Sequence, residues 1–130
     1  MNRINKLSLI SISAILASCA IFNQSPSDQR SCQNADWQAI GMKDGYNGWD
    51  TSYLQKHSQA CAIHDINVDT VQYQAGYAAG LEQFCSVHKG YWLGETGQEY
   101  KNTCPAGLSQ AHLKAYENGR RVFNMLEEMD

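Results

Sequence analysis

The chain has 130 residues, with 10 basic and 13 acidic side chains and 43% apolar residues. That length suits one small domain and is too short for two. Its basic residues never cluster beyond the Arg120-Arg121 pair. Without a cationic face to neutralise phosphates, nucleic acid is a poor partner.

The N-terminus carries the address. Arg3 and Lys6 precede an apolar run from Leu7 to Leu16, which has signal-peptide length and is too short for a stable transmembrane helix. The run ends in Leu16-Ala17-Ser18-Cys19. Small residues before a cysteine read as a lipobox, so residues 1–18 are expected to be removed and Cys19 to become a lipidated N-terminus. The alternative is an ordinary secretory signal with a chance cysteine, since that cleavage also needs small residues. Two or three acyl chains anchor a protein stably, each buried CH₂ contributing roughly 0.8 kcal/mol. Aspartate after the lipidated cysteine favours inner-membrane retention in Gram-negative bacteria. Ala20 stands there, so the expected site is the periplasmic face of the outer membrane. Removal of Arg3 and Lys6 leaves 8 basic against 13 acidic side chains. Residues 19–31 read as the lipidated cysteine and a polar tether reaching roughly 20 Å, and residues 32–130 as a single domain.

With Cys19 assigned to lipid, Cys32, Cys61, Cys85 and Cys104 remain. An even count in an oxidising compartment implies two disulfides, with three possible connectivities. The local pairing, Cys32–Cys61 and Cys85–Cys104, is favoured because each bridge then flanks one structural unit and stabilises it by roughly 3–4 kcal/mol. The competing reading is a metal site at His57, Cys61 and His64, which requires free thiols and lacks a Cys-x-x-Cys partner. No metal or cofactor is expected.

Three helices are expected in chain order. The first starts at Asn34 or Asp36 and carries Trp37, Ile40, Gly41, Asp44, Gly45 and Gly48 at steps of three and four. The second follows Asp69, with Tyr73, Gly76, Tyr77, Gly80, Leu81 and Phe84 on one stripe, and closes at Cys85. The third starts near Ser109 and carries Leu113, Tyr116, Gly119, Phe123 and Leu126. Between the last two lies a turn-rich Gly/aromatic loop, Lys89 to Pro105. The expected fold class is therefore mainly α, a small three-helix domain stapled by two disulfides. Each helix places an aromatic residue one turn before a glycine, a pattern suggestive of a degenerate threefold repeat. Gly41, Gly45, Gly76 and Gly80 would together cost roughly 4 kcal/mol in exposed helices, so close helix–helix approach, or a ligand groove, is expected to offset them.

These blocks resemble a bacterial lipoprotein family catalogued as domain of unknown function 2799. The matching elements are Cys19, Asp36-Trp37-x-x-Ile40-Gly41-x-x-Asp44-Gly45-x-x-Gly48, Tyr73-x-x-Gly76-x-x-x-Gly80-Leu81-x-x-Phe84-Cys85, Gly94-x-x-Gly97-x-x-Tyr100-x-x-x-Cys104-Pro105 and Tyr116-x-x-Gly119-Arg120. The family often has arginine where this chain has Tyr77. The resemblance implies an envelope location and one continuous domain, and it brings no activity with it.

No nucleophile elbow, metalloprotease helix, phosphate loop or dinucleotide fingerprint occurs. The histidines His57, His64, His88 and His112 are scattered. Asp44, on a glycine stripe, must find a partner, with Arg120 or a tyrosine hydroxyl the expected one. The loop residues Tyr91, Trp92, Glu95, Glu99 and Tyr100 form the candidate ligand or partner surface, since loops on a rigid scaffold often carry function. The leading expectation is a non-enzymatic envelope lipoprotein that binds another periplasmic or outer-membrane protein. The alternative is a glycan- or peptidoglycan-binding or -acting lipoprotein, with Tyr91, Trp92 and Tyr100 as stacking platforms and Glu95, Glu99 or Asp44 as polar partners.

Overall fold

A computed structural model describes residues 25–129 of the chain. The signal stretch, Cys19 and the start of the tether lie outside the described residues. Order begins before Cys32: Asp28 and Ser31 form a reciprocal capping box that starts a short helix, α1 (Gln29–Gln33). The remaining helices are α2 (Trp37–Tyr46), α3 (Ser52–Ala62), α4 (Thr70–Phe84), α5 (Val87–Glu95) and α6 (Ala106–Glu127). No strand occurs among the described residues. None of the described helices is long and apolar enough to cross a membrane.

Three of these are the helices read from the sequence. Asp36 caps α2 by accepting the Ala39 N–H at 2.9 Å, and Asp69 caps α4 through Gln72 at 3.0 Å. Pro105 introduces α6, which begins at Ala106 rather than near Ser109. Two longer helices are additions. α3 lies in a stretch with no marked apolar stripe, and α5 occupies much of the segment expected to be a loop. Its glycines, Gly90 and Gly94, mimic turn signals but sit in helix. Ser86 caps it by accepting from the Lys89 N–H.

The glycines explain the architecture. A Cβ on Gly41 would lie 2.0 Å from the Tyr73 carbonyl oxygen, and one on Gly80 would lie 2.0 Å from that of Met42. α2 and α4 therefore touch main chain to main chain. Contact numbers rise together along both helices (Gly41 with Tyr73, Gly45 with Tyr77), so the two run parallel. The same arrangement recurs in α5 and α6, where Gly94 faces the Tyr116 carbonyl and Gly119 that of Tyr91.

The recurrence is register-perfect. Gly41, Gly45 and Gly48 return 49 positions later as Gly90, Gly94 and Gly97. Tyr73, Gly76, Tyr77, Gly80 and Phe84 return 39 positions later as His112, Ala115, Tyr116, Gly119 and Phe123. Gly48 (φ +64°) and Gly97 (φ +71°) each end the first helix of a pair in the left-handed conformation, beneath the Phe84 and Phe123 rings respectively. The Schellman bonds match too: Trp49 N–H to Asp44 O at 3.1 Å, and Gln98 N–H to Leu93 O at 3.0 Å. Tyr77 and Tyr116 then donate to the Trp49 and Gln98 carbonyls, both at 2.7 Å. The repeat is thus twofold, one glycine-packed helix pair following another, in place of the threefold pattern of single helices expected from the sequence.

Parallel neighbours need a connection that travels back along the pair. In the first pair α3 makes that return, tied to α1 by Cys32–Cys61. In the second, residues 96–105 make it without a helix, and Cys85–Cys104 ties its end to the end of α4. Both disulfides have the favoured connectivity.

Replacing Gly94 by alanine pushes a methyl group into a carbonyl and forces α5 and α6 apart. The expected cost is about 3 kcal/mol, a fall in Tm of roughly 10–20 °C. Gly107, with nothing near its Cβ position, is the matched control. Its alanine variant should melt a few degrees above wild type, because helical alanine is favoured over glycine by up to about 1 kcal/mol. Equal melting of the two variants by circular dichroism would refute main-chain contact as the organising feature.

Candidate functional site

Two places concentrate chemistry. The first is a buried polar cluster in the first helix pair. The Asp44 carboxylate is 1% exposed, and one of its oxygens accepts from the Tyr73 hydroxyl and contacts the His57 Nε2, each at 2.7 Å. His57 and Tyr73 are themselves buried. Burial first, then the hydrogen bond and charge of Asp44, raises the Tyr73 pKa far above the usual phenol value. The tyrosine hydroxyl anticipated as a partner for Asp44 is present. Arg120 is not that partner: it lies on α6 in the other helix pair, with its guanidinium 4.9 Å from the Phe123 ring centre.

The second helix pair is an internal control for this cluster. Leu93 stands at the position of Asp44 and His112 at that of Tyr73, and the Gly94 and Gly119 crossings are as close as those of Gly45 and Gly80. The carboxylate is therefore not needed for helix pairing. What it holds is α3, the helix that only the first pair has, by gripping His57. The Asp44 cluster is an anchor for the return connection.

The metal reading fails on the same elements. The Cys61 sulfur is bonded to Cys32, His57 is engaged by Asp44, and His64 is directed towards the Ser27 carbonyl. Among the described residues no group of three or more potential ligands is arranged to hold an ion.

The second place is a groove of about 350 Å³ where the two helix pairs meet. The ends of α2 and α4, one face of α5 and the following connection line it. It contains Trp92 and Glu99 from the sequence-derived surface and adds Tyr46, Asn47, Lys89 and Lys101. Trp92 is 38% and Tyr46 46% exposed. The Lys89 ammonium lies 4.2 Å from the Trp92 ring centre and 4.9 Å from that of Tyr46, a cation–π arrangement that keeps the charge inside the groove. Lys101 donates to the Asn47 carbonyl at 2.8 Å, at the C-terminal end of α2.

The other members of the expected surface go elsewhere. Tyr91 and Glu95 lie on α5 but do not line the groove. Tyr100 packs against His112 and Tyr116, with ring centres 5.8 and 5.0 Å away. Burial first, then the nearby Glu117, raises its pKa. Tyr46 and Lys101 escaped the sequence reading because they are far apart in the chain and carry no motif.

Fold and site define a small, disulfide-stapled helical domain built from a duplicated parallel helix pair, with a concave aromatic and charged surface at the joint. A family model described as a protein of unknown function (DUF2799) matches residues 36–121. That match covers well over half of the chain, and the chain belongs to this family. It runs from the Asp36 cap of α2 into α6, so it frames both glycine-packed pairs. No curated protein and no solved structure matches the chain.

The raised Tyr73 pKa sets a pH dependence. Above pH 10 the unfolded phenol ionises while the folded one stays protonated. The native state then holds more protons than the unfolded state, and stability falls as pH rises. Tyr73→Phe should cost about 1.5–3 kcal/mol at pH 8, the value of a hydrogen bond to a buried charge. Between pH 8 and pH 11 the gap to wild type should narrow by about 1.4 kcal/mol. Urea titrations across that range measure it; a gap independent of pH would contradict the assignment.

Proposed function

We propose that this chain is a lipid-anchored envelope protein, held by Cys19 on the periplasmic face of the outer membrane, and that its domain works by binding rather than catalysis. The observation that carries the reading is the partition of five cysteines. Four pair into two disulfides, as an oxidising compartment favours, and the fifth is the one that ends the lipobox. Residues 25–28 lead directly into α1, so the tether from the anchor to the domain is short and the binding surface stays near the bilayer.

The exposed surface has two candidate occupants, a protein of the envelope and a cell-wall glycan. The protein reading draws on the compact size of the domain and on exposed apolar side chains such as Val87 and Tyr91 on α5. The groove favours the glycan. Exposed aromatic faces beside amide and charged groups in a concave setting suit the C–H faces and hydroxyls of sugars, and small-ligand sites gather at such junctions.

The anchor is tested by mass. Alkylation of the purified protein under denaturing, non-reducing conditions should add no label, and after reduction it should add label at four thiols. Radiolabelled palmitate should enter wild type and not Cys19→Ala, which should leave the membrane fraction. Five thiols after reduction, with no palmitate incorporated, would overturn the lipoprotein reading.

A further inference from the structure

We infer that the groove at the joint of the two helix pairs takes an acidic saccharide, with its carboxylate between the Lys89 and Lys101 ammonium groups and its ring against Trp92 and Tyr46. The inference rests on the glycan reading and adds to it the charge of the ligand and the residues that read it.

The duplication shows which of these side chains the architecture requires. By the 49-residue register, Lys89 corresponds to Ile40, Trp92 to Lys43 and Tyr46 to Glu95. Three of the four glycine contacts between the helices recur in the second pair, where Ala115 stands in place of Gly76. None of the three residues is thus needed for pairing the helices, yet all three converge where the pairs meet. Two of them leave more than a third of a large aromatic side chain open to water, an exposure that burial under a ligand would relieve.

The charges point to an anion. Neither Lys89 nor Lys101 lies within ion-pair distance of a carboxylate among the described residues. Lys101 uses one of its three donors on Asn47, and Lys89 is held over the two rings, so both retain donors for a ligand. Glu99 on the same lining reduces the local balance to a single positive charge, which suits one carboxylate and disfavours a phosphate dianion. The exposed ring surface asks for an apolar face beside that carboxylate, and the Asn47 side chain in the lining can meet hydroxyls. A sugar ring bearing a single carboxylate supplies all three. About 350 Å³ is at the small end for a ligand site and matches a short saccharide.

The experiment is calorimetric titration of the full protein, extracted from membranes in detergent, with three disaccharides. N-acetylglucosaminyl-N-acetylmuramic acid carries the lactyl carboxylate that cell-wall strands expose where the peptide stem has been removed, N-acetylglucosaminyl-glucuronic acid carries one from another source, and chitobiose carries none. The muramic disaccharide should bind about tenfold more tightly than chitobiose, the worth of a charge-assisted hydrogen bond. Lys101→Met and Lys89→Met should each erase that preference, Trp92→Ala should weaken both ligands, and Glu99→Gln should tighten the acidic one. Chitobiose binding as tightly as the acids, an unchanged Lys101→Met, or no binding by any of the three at millimolar concentration would overturn the proposal. A preference for glucuronate would retain the acidic-sugar site and overturn its cell-wall source. Membrane attachment of the same preparation separates the two readings: an unlipidated protein that binds the acids refutes only the anchor, and a lipidated one that binds none refutes only the site.

Discussion

Everything in this domain depends on helices that touch through their backbones. Ridges of side chains ordinarily keep helix axes 8–10 Å apart. Here glycine removes the side chain from both members of each pair, and carbonyl oxygens occupy the space a Cβ would fill. Such contact gains dispersion and weak Cα–H···O bonding over the whole interface, which offsets the helix propensity that glycine forfeits. It also fixes register, because only a small residue fits at each crossing point. At the position of Gly76 the second pair has Ala115.

The parallel direction of each pair follows through to the rest of the fold. A tight turn joins antiparallel helices, whereas parallel ones need a return path. α3 and residues 96–105 are two solutions to one problem, and the molecule secures each by a disulfide. The polar cluster belongs to the same logic. Burying a carboxylate costs several kcal/mol unless it is well bonded, and Asp44 is retained where a helix must be pinned and replaced by Leu93 where there is none. A buried aspartate beside a histidine invites a catalytic reading. The duplicate pair supplies the comparison that assigns it to structure.

Duplication also separates what holds the fold from what is left for function. Positions shared by the two pairs are glycines, ring caps and turn locks. Tyr46, Lys89 and Trp92 differ between the copies and gather at the joint, where two rigid units create a concavity that neither has alone. On the proposed anchor, a short tether would present that groove close to a bilayer.

Helix existence was legible wherever capping residues and glycine stripes coincided, as at Asp36 and Asp69, because those are local interactions between residues a few positions apart. The disulfide pairing was legible for a related reason, each bridge closing a single unit. α5 was not, since Gly90 and Gly94 look like turn residues until another backbone is seen against them. Nor was the groove, whose residues come from three separate segments. The chain by itself determined the class of fold, the crosslinks and the glycine pattern, all set by local chemistry and spacing. Only the tertiary structure decided that the helices pair in parallel and twice over, that Asp44 grips His57 rather than Arg120, and that Tyr46 and Lys101 meet Trp92. Those outcomes depend on close approach between distant segments, which spacing along one strand of sequence does not encode.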